Sequence, residues 1–128
     1  MPGMSFLNKL YFVEAESLTA DGVTYVIRMN PQHKIYAAHF PGDPITPGVC
    51  ILQIGLELLR NMHVCCKLEL VLVKNVKFLS ILRPDGNQVY VRIHNIVEDE
   101  DRLKAQMDFS TLDQTVAKMS LICKKTAK

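Results

Sequence analysis

Apolar and polar residues alternate along most of this chain, and one stretch interrupts them with residues that are apolar on almost every face. Tyr11 to Glu16 and Val23 to Met29 read as short strands. Thr19-Ala20-Asp21-Gly22 joins them, and its Asp-Gly pair is a hairpin signal. Asn30-Pro31 ends the second strand because proline cannot donate to a ladder, and Gln32 to Ala38 has room for one helical turn. Val49 to Met62 is the nearly all-apolar run, and a helix of that kind sits inside a protein. Leu68 to Leu82 follows as a long β-rich run broken by Lys74, Asn75 and Lys77, and Arg83 to Asn87 is a tight turn. Val89, Val91 and Ile93 then alternate with polar neighbours, as do Leu103, Ala105, Met107 and Phe109, and finally Ala117, Met119, Leu121 and Cys123. Glu98 to Asp101 reads as a solvated hairpin tip rather than a metal site, since four consecutive carboxylates cannot all turn inward. Two strands, one buried helix and four further antiparallel strands make a single α+β domain over residues 1–128, a curved sheet wrapped around one helix. Exposed sheet edges invite pairing, so a dimer is expected.

The segment before the buried helix carries the candidate chemistry. Residues 39–48, HFPGDPITPG, hold three prolines and two glycines, which fix a turn-rich loop whose backbone can approach a ligand closely. Thr46-Pro47 looks like a helix start, with a hydroxyl at the N-cap and proline at the first helical position. A histidine-led loop is thereby joined to the positive end of a buried helix.

Composition narrows the field only a little. A net charge of +2 is too small to argue for nucleic acid. The first residues lack the apolar region of a signal peptide, and no apolar run is long enough to span a membrane, so a cytoplasmic location is the default expectation. Cys50, Cys65, Cys66 and Cys123 show no paired metal spacing and read as reduced thiols serving as small hydrophobes. His33, His63 and His94 show no metal-ligand spacing with one another. No metal or organic cofactor is expected.

HFPGDPITPGVCILQ resembles the signature of the beta-hydroxyacyl-acyl-carrier-protein dehydratases, the FabA/FabZ type with the hotdog fold. The framework positions His39, Phe40, Pro41, Gly42, Pro44, Pro47 and Gly48 are all present. Lys77-Phe78 through Arg83-Pro84 is a fainter echo of the same family. The resemblance implies a lyase that removes water from a beta-hydroxyacyl thioester carried by acyl carrier protein, giving the trans-enoyl product. It also implies a dimer, or a larger assembly of dimers, in which a histidine of one protomer meets a carboxylate on the central helix of the other. On this pattern His39 is the base, and the Gly48 N–H at the positive end of the helix is the donor to the thioester carbonyl. Phe40 and Val49 would line the substrate site with Gly48; core packing explains Tyr36 and Phe40 equally well.

One position departs from the pattern. The family's catalytic Glu or Asp, five residues after Gly48, is replaced by Gln53, and Glu57 stands one turn later, where the family often has Gln. An amide can orient a hydroxyl or a water, but it supplies no carboxylic proton and is no base at neutral pH. Residues at i and i+4 share a helix face about 6 Å apart, so Glu57 either reaches the same cavity or is structural, solvated or paired with Arg60. In the second case Gln53 marks reduced or lost activity. Three other functions fit the same sequence: a thioesterase on this fold, a non-catalytic acyl-binding module, and a subunit whose partner supplies the missing carboxylate. Asp43 is explained by loop geometry as readily as by catalysis. Lys67, Lys74, Lys77, Arg83 and Lys104 are candidates to meet an acidic carrier protein, or simply a wet face.

Overall fold

A computed structural model describes residues 5–38 and 41–127. The element order is β1 (Tyr11–Thr19), β2 (Gly22–Met29), α1 (Lys34–Ala38), α2 (Gly48–Met62), β3 (Lys67–Phe78), β4 (Gln88–Glu98), β5 (Arg102–Ser110) and β6 (Thr115–Thr126). The strands form one six-stranded sheet in the order β1-β2-β4-β5-β6-β3, every neighbouring pair antiparallel. This is the α+β arrangement expected from the alternation, with β1 and β3 as its two edges.

Alternation decides which face is dry. In β2, Val23, Tyr25, Ile27 and Met29 are buried while the residues between them are half-exposed. Val89, Val91 and Ile93 of β4 continue that inner face, and Leu103, Ala105, Met107 and Phe109 of β5 extend it. Against it lies α2, burying Cys50, Ile51, Ile54, Leu56, Leu58 and Leu59. Each fully buried aliphatic side chain contributes about 1.5–3 kcal/mol relative to exposure, so this one helix anchors the core. Gly55 lets the helix approach the sheet, because a Cβ there would meet the Met107 sulfur and the Phe109 ring.

Three local expectations are corrected. The β1–β2 loop is Ala20-Asp21, and Gly22 is already a strand residue paired with Thr19. Glycine is needed there because a Cβ would run into the Ile93 carbonyl of β4. Thr46 does not cap α2: the N-cap is Pro47, in an extended conformation, and the helix start has no side-chain cap. Finally, β3 ends at Phe78, and its pairing with β6 slips between Leu70 and Leu72 and between Lys74 and Lys77. Asn75, inside the second slip, takes a left-handed φ of 54°, which short polar side chains tolerate.

Candidate functional site

His39 and Phe40 lie outside the described residues. The loop from Pro41 to Pro47 is pinned at three points. The Thr46 hydroxyl shares a 2.8 Å hydrogen bond with the Tyr36 hydroxyl of α1, both residues buried. The Thr46 N–H donates to the Leu82 carbonyl at 2.8 Å. Asp43 takes two hydrogen bonds from the Arg83 guanidinium, Nε to Oδ1 at 3.0 Å and Nη2 to Oδ2 at 3.1 Å. Those hydrogen bonds hold the Asp43 carboxyl below the usual carboxylate range. Asp43 is thus a loop fastener, and Arg83 is already partnered.

The loop delivers the chain to the start of α2. Proline 47 has no N–H, and the N–H groups of Gly48 and Val49 have no acceptor among the described residues. They are donors at the positive end of a helix, suited to a carbonyl oxygen that gains negative charge. The Phe78 ring lies directly over Gly48, where an added Cβ would sit 2.8 Å from Cζ, so a larger residue there would push this half-exposed ring aside. Val49, on the first turn, is 60% exposed.

One turn further along, Gln53 is buried, and its Nε2 donates to Glu57 Oε2 at 3.0 Å. Glu57 collects three more donors. The Phe6 N–H reaches Oε1 at 3.0 Å and Oε2 at 2.9 Å, the Leu7 N–H reaches Oε1 at 2.9 Å, and the Tyr11 hydroxyl reaches Oε1 at 3.1 Å. The carboxylate therefore ties the segment before β1 to the middle of the central helix. It does not pair with Arg60, whose Nε donates to the Leu68 carbonyl at 3.0 Å. Because Glu57 accepts the Gln53 amide N–H, the orientation of that amide is fixed, and its Oε1 has no donor among the described residues. At this point α2 carries a buried amide, not an acid.

Burial first, and then the neighbouring Glu57 carboxylate, pushes the Tyr11 phenol far above its ordinary pKa of 10.0. A raised native pKa means that the unfolded chain loses this proton first as pH rises, so stability is full below pH 10.0 and falls above it. Burial raises Tyr25 and Tyr36 in the same direction. We expect thermal unfolding midpoints to decline above that pH, and Tyr11→Phe to flatten the decline; parallel pH profiles for both proteins would contradict this.

The remaining sequence candidates lie elsewhere. His33 packs edge-on against the Phe6 ring, and its Nδ1 accepts from the Ile35 N–H. His94 lies 3.6 Å from Asp108. The cysteines do not behave alike: Cys50 and Cys123 are buried, but Cys65 is exposed and Cys66 half-buried, because both sit in the link between α2 and β3. Those two thiols gather beside His63, a grouping that the spacing within either residue type does not reveal. The signal was the local order His63, Cys65, Cys66.

The sequence matches the ApeI-like family, described as ApeI dehydratase, over residues 15–120. The chain belongs to the ApeI-like dehydratase family. Solved structures place it among hotdog folds. It is similar to the dehydratase heterocomplex ApeI:P from Xenorhabdus doucetiae, with 21% identity, 88% of this chain and 96% of that chain covered, and a TM-score of 0.69. It is also similar to thioesterase superfamily member 2 from Mus musculus, at 15% identity, 96% and 93% coverage and a TM-score of 0.65. A hypothetical thioesterase with coenzyme A from Streptococcus pneumoniae TIGR4 shares 7% identity, with 92% and 87% coverage and a TM-score of 0.67. Identities this low establish a common fold and not a common reaction. No curated relative matches. Among the described residues, no helix is long and apolar enough to cross a membrane.

Proposed function

We propose that this ApeI-like protein acts on beta-hydroxyacyl thioesters carried by acyl carrier protein, as a FabA/FabZ-type dehydratase with a weakened site. The carrying observation is the start of α2, where the Gly48 and Val49 N–H groups stand without acceptors among the described residues, at the end of a pinned loop of the HFPG type. A thioester carbonyl bound there would be polarised, making its alpha proton acidic enough for His39 to remove. Expelling the beta-hydroxyl then breaks the C–O bond and needs a proton to form water. Gln53 orients that hydroxyl through Oε1 but has no proton of that acidity to give. In this reading Glu57 is structural, its oxygens occupied by four donor groups. The departing group would take its proton from the imidazolium of His39 or from water, a slower route.

We infer that the working form is a dimer built along the free edge of β3. That edge and its continuation expose Val71, Leu72, Val76, Phe78, Leu79 and Ile81, the Phe78 ring lies against Gly48 at the helix start, and the next residue, Val49, is exposed. A second hotdog chain would cover this surface and pair the edge. A second copy of this chain brings another Gln53. The geometry of Gln53 and Glu57 also favours a second reading, in which a different hotdog chain brings a carboxylate to His39. The similar ApeI:P structure is a heterocomplex, which supports that reading.

The test is product analysis with a beta-hydroxyacyl-acyl-carrier-protein. Slow formation of the enoyl thioester, abolished by His39→Ala with the oligomeric state unchanged, is expected. Release of free acid would make the protein a thioesterase instead, and tight carrier-protein binding with no turnover would make it a binding module.

A further inference from the structure

At the far end of α2, about 22 Å from Gly48 by helix rise, the structure gathers a second set of reactive side chains that the dehydratase reading does not use. His63 is the C-cap of the helix, and Cys65 and Cys66 lie in the link that leads into β3. The His63 Nδ1 is 3.7 Å from Cys65 Sγ and 3.6 Å from Cys66 Sγ, and the ligand atoms of all three lie within 4.8 Å of one another. In a tetrahedral zinc site, bond lengths of about 2.0–2.1 Å to nitrogen and 2.3 Å to sulfur place neighbouring N and S atoms roughly 3.5 Å apart. The free side chains already stand near that spacing.

A second element fixes the histidine. The Nε2 of His63 is 2.7 Å from Glu98 Oε2 at the end of β4, and the same carboxylate oxygen receives Lys125 Nζ of β6 at 2.7 Å. In the neutral tautomer that donates Nε2–H to Glu98, Nδ1 is the nitrogen left to bind a cation; Cys66 Sγ lies 3.6 Å from it, and Cys65 Sγ lies 3.7 Å from Nδ1 and 3.8 Å from Nε2. This is the carboxylate–histidine arrangement that sets tautomer and ring direction in zinc proteins. Glu98 is thirty-five residues from His63 in sequence, so the sheet, and not local chain geometry, builds this contact. Beside the cluster a cavity of about 280 Å³ is lined by Arg60, His63, Cys66, Lys67 and Leu68, leaving room on one side.

We propose that His63, Cys65 and Cys66 form a three-ligand site for a soft divalent cation of the zinc class, with Glu98 as its positioning residue and solvent at the fourth position. Nitrogen and thiolate donors in tetrahedral array favour zinc over calcium or magnesium. On binding, the two thiols lose their protons to solvent, so each cation releases two protons and forms two metal–sulfur bonds with no change of oxidation state.

Cobalt(II) titration of the fully reduced, full-length protein tests the site. We expect one cobalt per chain, with the visible bands of a tetrahedral ion and a thiolate-to-cobalt charge-transfer band, both removed by stoichiometric zinc. Cys65→Ser, Cys66→Ser and His63→Gln should each weaken binding at least tenfold. Glu98→Gln, which leaves every ligand in place, should weaken it about 10- to 100-fold. Circular dichroism separates loss of the site from loss of the fold, and buried Cys50 and Cys123 remain as internal controls in every variant. A reduced protein that shows no tetrahedral cobalt spectrum, or a spectrum unchanged in Cys66→Ser and His63→Gln, would overturn the proposal.

Discussion

Gln53→Glu is expected to increase enoyl-thioester formation by about 10²- to 10⁴-fold, the usual contribution of a positioned general acid or base. The size of the effect follows from where Gln53 sits. Its Nε2 is 3.0 Å from Glu57 Oε2, so the substitution exchanges a donor for a second carboxylate in a buried position. Two carboxylates that close cannot both ionise, and one of them keeps its proton at neutral pH. Glu57 already accepts from Phe6, Leu7 and Tyr11, so the introduced carboxyl is the group with no donor of its own. Under the proposed function, a protonated carboxyl at that point on α2 supplies the acid that the elimination needs. Activity in the variant no higher than in the natural protein would show that position 53 does not face the reacting hydroxyl.

Glu57→Ala is expected to lower stability by about 3 kcal/mol, since hydrogen bonds to a charged group are worth roughly 1.5–3 kcal/mol and buried donors left unpaired cost more. For a domain of this size that amounts to a fall of roughly 10 °C in the unfolding midpoint. The Phe6 and Leu7 N–H groups, the Tyr11 hydroxyl and the Gln53 amide all lose their acceptor at once. Phe6, Leu10 and Tyr11 belong to the core, so the segment leading into β1 should loosen with them. Urea unfolding measures the loss, and hydrogen exchange locates it at residues 6–11. Glu57→Gln retains one acceptor and should lie between. A Glu57→Ala protein as stable as the original, yet devoid of dehydration activity, would move Glu57 from structure to chemistry.

These two substitutions also mark how far the sequence could be read. Regular alternation in Val89–Ile93 and Leu103–Phe109 specifies which face of the sheet is dry, because a strand has only two faces and one must be apolar. The apolar run from Val49 onward admits one burial, inside the sheet. These features are periodic, so they are legible. The role of Glu57 is not periodic: its partners are backbone N–H groups near residue 6, and every residue but proline has one. Nothing in the residue types announces that pairing. Thr46 shows the same limit from another side. Its hydroxyl suits a helix cap, but it is hydrogen-bonded to the buried Tyr36 hydroxyl and caps nothing. The slips in β3 and the Glu98–His63 contact likewise arise from how distant strands stack, which local pattern does not encode.

We propose for this ApeI-like chain a thioester dehydration site whose base is His39 and in which Gln53 stands where the resembled family has a carboxylate. The most direct measurement is the initial rate of enoyl product from a beta-hydroxyacyl-acyl-carrier-protein, compared between the natural chain and Gln53→Glu at equal concentration. The account predicts a feeble natural rate, a gain of at least a hundredfold in the variant, and loss of both rates with His39→Ala. A natural protein that turns over rapidly alone and is unmoved or impaired by Gln53→Glu would contradict it.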